Sequence, residues 1–411
     1  MNRPLKGIRV LDLSRVLAGP WCTQLLADMG ADVIKVERPI VGDDTRHWGP
    51  PWHVFDGKEG FGDDKVAAYF LAANRGKRSA AIDFARPEGA ELVRALAAKS
   101  DVVVENFKVG GLAKFGLDAA SLRADDPRLI VASITGFGQD GPYADRAGYD
   151  FIIQGMGGMM SVTGLSDGEP GGGPMRAGVA IADIFTGMYA ASAILAALVQ
   201  RGVSGKGAHI DLALFDTQLA VLANQASNYL VGGEDPPRQG NTHPNIVPYQ
   251  PFMAADQPII IAVGNDRQFA RLAEILGSPD WATNPVYATN AARVANRAPL
   301  VQHIRQMIAT KPAAHWLAAL EQAGIPAGPI NHIGQALADP QSLHRRSVQM
   351  LSGGRLGEVP TVGSPIRFDG ERADAPLPPP ALGEHSDAVL KEMLGLKKGE
   401  IADLRAEGIV G

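Results

Sequence analysis

The carboxylate best placed for covalent chemistry is Asp183. It stands in Val179-Ala180-Ile181-Ala182-Asp183-Ile184-Phe185, an apolar run at the expected start of a long helix. Asp is among the preferred N-cap residues because its oxygens accept from the helix's free N–H groups. The same position favours an ionised carboxylate, and nearby amides are suited to stabilising charge on a reacting carbonyl oxygen. On this spacing, cap and nucleophile both stay open. Other reactive types lack partners. The one cysteine, Cys22, has no second thiol for a disulfide or CxxC pair, which points to a reducing compartment. His243 lies in a Gly/Pro-rich loop with no neighbouring acid or serine elbow to make a triad. The nine histidines show no HxxxH or HxH spacing, so a metal enzyme is disfavoured.

Cations cluster at two places. Asn74-Arg75-Gly76-Lys77-Arg78 puts three of them just before an expected strand, as a solvated loop or as a phosphate site at a sheet end. Lys35 and Arg38 flank the end of an earlier strand and read as a solvated edge or, beside a helix N-terminus, as an anion site. Glu37 closes a strand, turn, helix, strand unit that has the outline of a dinucleotide-binding fold. Its turn, Arg15-Val16-Leu17-Ala18-Gly19-Pro20, carries one glycine where the fingerprint needs three, which argues against NAD. The glycine runs at 155–158 and 171–173 lack a GK[ST] context and read as turns.

The elements that must position these residues follow from periodicity. Short apolar runs at 8–13, 31–36, 79–84, 101–104 and 129–134 alternate with helical stretches at 23–29 and 87–99, which predicts an α/β fold with a parallel sheet. Long helices are expected over 183–200 and 211–229. A strand at 259–263 with helices near 267–276, 300–309 and 313–323 is enough for a second, smaller domain. The 411 residues, 45% hydrophobic with 39 basic against 44 acidic side chains, net −5, suit two or three globular domains and give no basic footprint for nucleic acid. The softest stretch, 190–199, ends at Gln200 and Arg201, so no membrane span is expected. The start, MNRPLKGIRVLDLS, has no apolar signal region, and a cytoplasmic protein is expected.

Taken together, ordered blocks resemble the class III coenzyme A transferases, the CaiB/BaiF family, over essentially the whole chain. They are VLDLSRVLAGPWCTQLLADMGADVIKVERP at 10–39, GDDTR at 42–46, NRGKRS at 74–79, VVVENF at 102–107, SITGFGQDGP at 133–142, RAGYDF at 146–151 and ADIFTGMYA at 182–190. GDDTRHWGPP, HPNIVPYQPF at 243–252 and VGNDRQF at 263–269 look most like the succinyl-CoA:dicarboxylate branch.

The resemblance implies a Rossmann-like large domain over 1–200, a linking helical region over 201–230, a small α/β domain over 231–330, and a segment over 331–411 returning to the large domain. It also implies an interlocked homodimer. It makes Asp183 the nucleophile, forming an acyl-aspartyl anhydride and then an aspartyl-CoA thioester as CoA passes from a donor such as succinyl-CoA to a short dicarboxylate such as glutarate. Coenzyme A contacts carry over to Leu17, Ala18, Arg38, Ile82, Asp83, Phe84, Ala85, Asn106, Phe107, Lys108, Lys114, Ala147, Gly148, Tyr149 and Asp150. Arg46 and His243 are candidates for the acceptor's distal carboxylate. Leu17 stands where the formyl-CoA branch carries glutamine, Lys114 where an arginine binds phosphate, and Ala85 where some members have lysine; the formyl branch's glycine-rich lid is unmatched, with 243–249 in its place. Two alternatives accompany this reading. An α-methylacyl-CoA racemase uses a His-Asp pair where this chain has Tyr149-Asp150, and an ordinary tyrosine is a poor base at neutral pH. The other is a CoA-binding or assembly protein without catalysis.

Overall fold

The computed structural model describes residues 3–56, 64–373 and 377–411, which divide into two compact units. The first comprises 1–158, 178–223 and 340–411; the second comprises 159–177 and 224–339. The expected cuts at 200, 230 and 330 differ from this division: 159–177 goes with the second unit, while 201–223 goes with the first.

The first unit is built on six parallel strands: β1 (Arg9–Asp12), β2 (Asp32–Glu37), β3 (Lys77–Ala81), β4 (Val102–Glu105), β5 (Ile130–Thr135) and β6 (His209–Ala213). They lie in the order β3-β2-β1-β4-β5-β6, all pairs parallel. This is the doubly wound order, whose direction reverses between β1 and β4. The central strands are nearly continuous apolar runs, as burial on both faces requires. Sequence periodicity reads 211–229 as helix, whereas β6 occupies 209–213 and α5 (Leu214–Val221) follows. HIDLA is an edge strand of alternating exposure, too short and polar to stand out until it pairs with β5.

One face of the sheet is covered by α1 (Ala18–Asp28) and α4 (Ile181–Ser204), with Leu26, Ala190 and Ile194 among the buried contacts to Val10, Val102 and Ile130. The other is covered by α2 (Pro87–Ala97) and two helices of the final segment, through Val93, Leu96, Val389, Leu390 and Ile401. The chain end pairs back on the sheet, with Gly411 N–H donating to Ala81 O at 2.9 Å. By length and composition α4 is apolar enough to cross a membrane, but one side, including Thr186, Gly187, Ala190 and Ile194, is buried in this unit. The second unit packs the antiparallel strands β7 (Tyr249–Met253), β8 (Pro258–Ala262) and β9 (Ala327–Pro329) against helices Asp266–Ile275, Arg297–Ile308 and Ala313–Gln322.

The two helices on the first face meet at Gly187. A Cβ there sits 2.6 Å from the Ala18 carbonyl and 3.2 Å from the Cys22 nitrogen, both backbone atoms of α1 that have little room to retreat. Overpacking of this kind typically costs about 1–3 kcal/mol. Gly187→Val is therefore expected to lower the denaturant midpoint of the first unit by an equivalent amount, measured by urea unfolding.

Candidate active site

Asp183 is the third residue of α4 and lies in its first turn, not at its cap. The N-cap, Ala180, has no side-chain acceptor. That role is taken from outside the helix by Asp150, the first residue of α3 (Asp150–Met156). Asp150 Oδ1 accepts from the N–H of Ala182 at 2.8 Å and of Asp183 at 3.4 Å, and its Oδ2 accepts from Gln154 Nε2 at 2.7 Å. The amides that sequence reasoning offered to a reacting oxygen are thus already bonded to a carboxylate. Two acids share one helix start, and the amides go to the one that is buried.

Desolvation raises the Asp183 pKa, and the neighbouring Asp150 charge raises it further, to about 7. The half-buried Tyr69 phenol is also pushed up, by burial and then by Asp183, Asp150 and Asp43. Sequence reasoning passed over Tyr69, since only the fold brings it near both acids.

Asp183 opens on a cavity of about 180 Å³ at the carboxyl ends of β1, β4 and β5, where the sheet order reverses. Such crevices are where doubly wound sheets bind ligands. Leu17, Ala18, Asn106, Phe107, Lys108, Ala147, Gly148 and Tyr149 share its lining, together with Arg15, Val16, Gly136 and Arg146. Gly136 and Gly148 pass so closely that a Cβ on either falls within 2.5 Å of the other's Cα, which makes glycine a steric requirement there. Arg146, part of a recognised block but unassigned from sequence, is exposed, with its guanidinium 4.5 Å from the Tyr143 ring.

Of the other expected coenzyme contacts, Phe84 touches a cavity-lining side chain, Phe107. Phe84 meets Phe107 and Phe115 edge to face, both at 5.7 Å, and Lys114 lies over the Phe115 ring. Ile82 is buried beneath, Asp83 and Ala85 share the turn of Phe84, with Ala85 N–H donating to Asp83 Oδ1, and Arg38 is exposed after β2.

Several expected roles give way to internal pairing. Arg46 is buried in a two-point pair with Glu37, 2.7 Å at each contact, and stacks 3.7 Å over Phe70, so its guanidinium is committed to the core and not to a substrate. The same pair takes Glu37 from any ribose. His243 belongs to the second unit, where its Nδ1 accepts from Asn245 N–H and burial followed by Arg297 lowers its pKa, favouring the neutral ring. The 74–78 cations are neither a solvated loop nor an open phosphate site: Arg75 pairs with Asp28, Lys77 with Asp12 and Arg78 with Asp32. Lys35 is wholly buried against Asp43, not a solvated edge. Burial pushes the Cys22 thiol well above its ordinary range, which makes it inert.

The turn between β1 and α1 is strained. Val16 has φ +70°, a left-handed conformation that costs a branched residue on the order of 1–3 kcal/mol. Asn106 clamps the preceding residue, its Oδ1 accepting from Arg15 N at 2.8 Å and its Nδ2 donating to Arg15 O at 2.7 Å.

A doubly wound sheet with a partly buried carboxylate opening on its switch-point crevice has the layout of an α/β ligand-binding or enzyme site. The profile of CoA-transferase family III matches residues 5–386, and the chain belongs to that family. It is 53% identical over 395 residues, 95% of this chain and 96% of the relative, to the succinate–glutarate CoA-transferase of Agrobacterium fabrum. It is 41% identical to the human succinyl-CoA:glutarate CoA-transferase, covering 99% of this chain and 90% of that one. A crystal structure of a CaiB/BaiF family protein from Brucella suis superposes with a TM-score of 0.83 at 51% identity, covering 96% of this chain and all of the other. The protein is an enzyme, a CoA-transferase.

Two pH effects follow from the Asp183 environment. Asp183 takes up its proton as pH drops through about 7, and kcat/KM is expected to fall over the same range. Asp150→Asn removes one of the two causes and is expected to move that limb to lower pH without restoring an ordinary aspartate value; a pH–rate profile reads both. Raising a native carboxyl pKa means the folded state holds its proton more tightly than the unfolded chain does, so stability is lost as pH rises from about 4 to about 7. Asp183→Asn is expected to unfold later than the parent at about pH 8, with the gap narrowing towards about pH 5 in urea titrations.

Proposed function

We propose that this protein moves coenzyme A from succinyl-CoA to glutarate by covalent catalysis at Asp183. The observation that carries the reading is a carboxylate with a raised pKa, opening on the switch-point cavity of a chain that matches succinate–glutarate and succinyl-CoA:glutarate CoA-transferases along nearly its whole length.

An Asp183 oxygen attacks the succinyl thioester carbon, and the C–S bond breaks to give an aspartyl-succinyl anhydride and CoA thiolate. The thiolate attacks the aspartyl carbonyl and expels succinate, leaving an aspartyl-CoA thioester. A glutarate carboxylate displaces the thiolate from that carbonyl, and the thiolate then attacks the glutaryl carbon, releasing glutaryl-CoA and the free Asp183 carboxylate. No proton or water is consumed, so thioester energy is conserved provided the cavity keeps water from the anhydride. A carboxylate with raised basicity is the stronger nucleophile for the first attack.

Lys108 and Arg146 on the cavity wall supply positive charge for the anionic substrates, in place of Arg46, whose guanidinium is paired with Glu37. The aromatic rim of Phe84, Phe107 and Phe115, with Lys114, suits an adenine and its phosphates. The racemase reading is weakened by Asp150, whose carboxylate is engaged by helix amides and Gln154 and is no free base. An interlocked homodimer in the cytoplasm belongs to the same proposal; an apolar cleft of about 910 Å³ lined by Trp21, Leu25, Met188, Leu195 and Ile366 offers a partner chain a surface to cover.

Asp183→Ala is expected to abolish exchange of labelled CoA between succinate and glutarate, with CoA binding by calorimetry largely retained. Hydroxylamine added during turnover is expected to mark Asp183 in the parent. Retained exchange, or an unmarked Asp183, overturns the nucleophile.

A further inference from the structure

We propose that the buried Lys35–Asp43 ion pair is the positioning device of the transfer site, holding the 14–17 turn in the strained shape that walls the Asp183 cavity. This rests on reading that cavity as the place of transfer.

The two side chains bond to the turn on either side of Arg15. Lys35 Nζ donates to the Ser14 carbonyl at 2.8 Å, and the Asp43 oxygens accept from Val16 N–H at 3.2 and 3.3 Å. The charges meet at 2.9 Å with both side chains fully buried. Val16 is the residue with φ +70°, where a branched side chain crowds its own backbone, so an external grip is needed to keep it there. The grip is itself fixed. Asp43 accepts from Thr45 N and Oγ1 at 3.0 and 2.8 Å, and its own N–H donates to Glu37 Oε2 at 3.0 Å. Glu37 is held in turn by Arg46 and by Ser79 Oγ on β3. Burial opposes charge on both partners, yet Asp43, Asp12 and Glu37 keep Lys35 above its ordinary pKa, and Lys35 with Thr45 keeps Asp43 below its own. The pair stays ionised and pulls the turn toward β2 at any working pH.

The consequence reaches the chemistry because Arg15, Val16 and Leu17 line the same cavity as Asp183. A turn displaced by about 1 Å misplaces the thioester against its nucleophile, an error that costs about a hundredfold in rate. An ordinary core ion pair has no such reach. Arg75–Asp28, buried to a similar degree, ties the last residue of α1 to the 74–78 segment and, through Arg75 Nη1, to the Val362 carbonyl, and serves as the comparison.

The test compares Asp43→Asn with Asp28→Asn in succinyl-CoA and glutarate exchange, below the melting point of each variant. Asp43→Asn is expected to lose at least about tenfold in kcat, while Asp28→Asn stays within about twofold despite a comparable fall in Tm. Adding Val16→Gly to Asp43→Asn is expected to recover at least about threefold, because glycine keeps a left-handed φ unaided. Equal kcat losses in the two Asn variants, or no recovery with glycine, overturn the proposal. Should Asp43→Asn fail to fold, hydrogen exchange on the parent decides: the Val16 amide is expected to exchange as slowly as β1, and exchange at the rate of the exposed 139–143 loop overturns the brace. That readout needs no turnover, so it stands apart from the Asp183→Ala result, which alone judges the nucleophile.

Discussion

The N-terminus of α4 can satisfy one carboxylate with its amides, and the chain delivers two. Asp150 reaches in from α3 and accepts from Ala182 and Asp183, so the helix's partial positive charge is spent on a residue that faces the protein. Asp183, one step along, is left partly desolvated beside a fixed negative charge. The character of the site follows from that allocation: a carboxylate more basic than a free aspartate, held on a helix that meets α1 at Gly187.

A second constraint supports the first. The cavity wall opposite α4 is a loop, and loops hold a strained shape only when other atoms bond to them. Here the side chains of Lys35, Asp43 and Asn106 bond to the backbone of three successive residues, Ser14, Arg15 and Val16. Charged groups in the core are costly to bury, and here their bonds fix the path of the turn. This explains why the 74–78 and 35–46 regions, so rich in charge, present few free cations to solvent.

Coenzyme A transfer between acids needs a site that accepts anionic acyl groups. The cavity at the reversal of the sheet order carries the cationic side chains of Arg15, Lys108 and Arg146 in its lining, and Phe107 joins it to the ring of Phe84. The chain shares its family with the succinate–glutarate CoA-transferase it resembles.

Much of the fold was legible in the chain itself. Short apolar strands alternating with helices dictate a parallel sheet, because only crossover connections join parallel strands, and five of the six strands fall where periodicity puts them. Asp183 was legible too, as an acid in an apolar run at a helix start. What sequence reasoning could not supply were pairings across large separations. Glu37 with Arg46, Lys35 with Asp43 and Lys77 with Asp12 turn apparent surface charge into core. β6 became a strand only by pairing with β5, and the helix amides passed to Asp150, 33 residues before Asp183, only once α3 docked. Local pattern encodes which face of an element seeks burial; which charge meets which is decided by packing, since a Coulomb partner is chosen by distance in space and leaves no period in the chain.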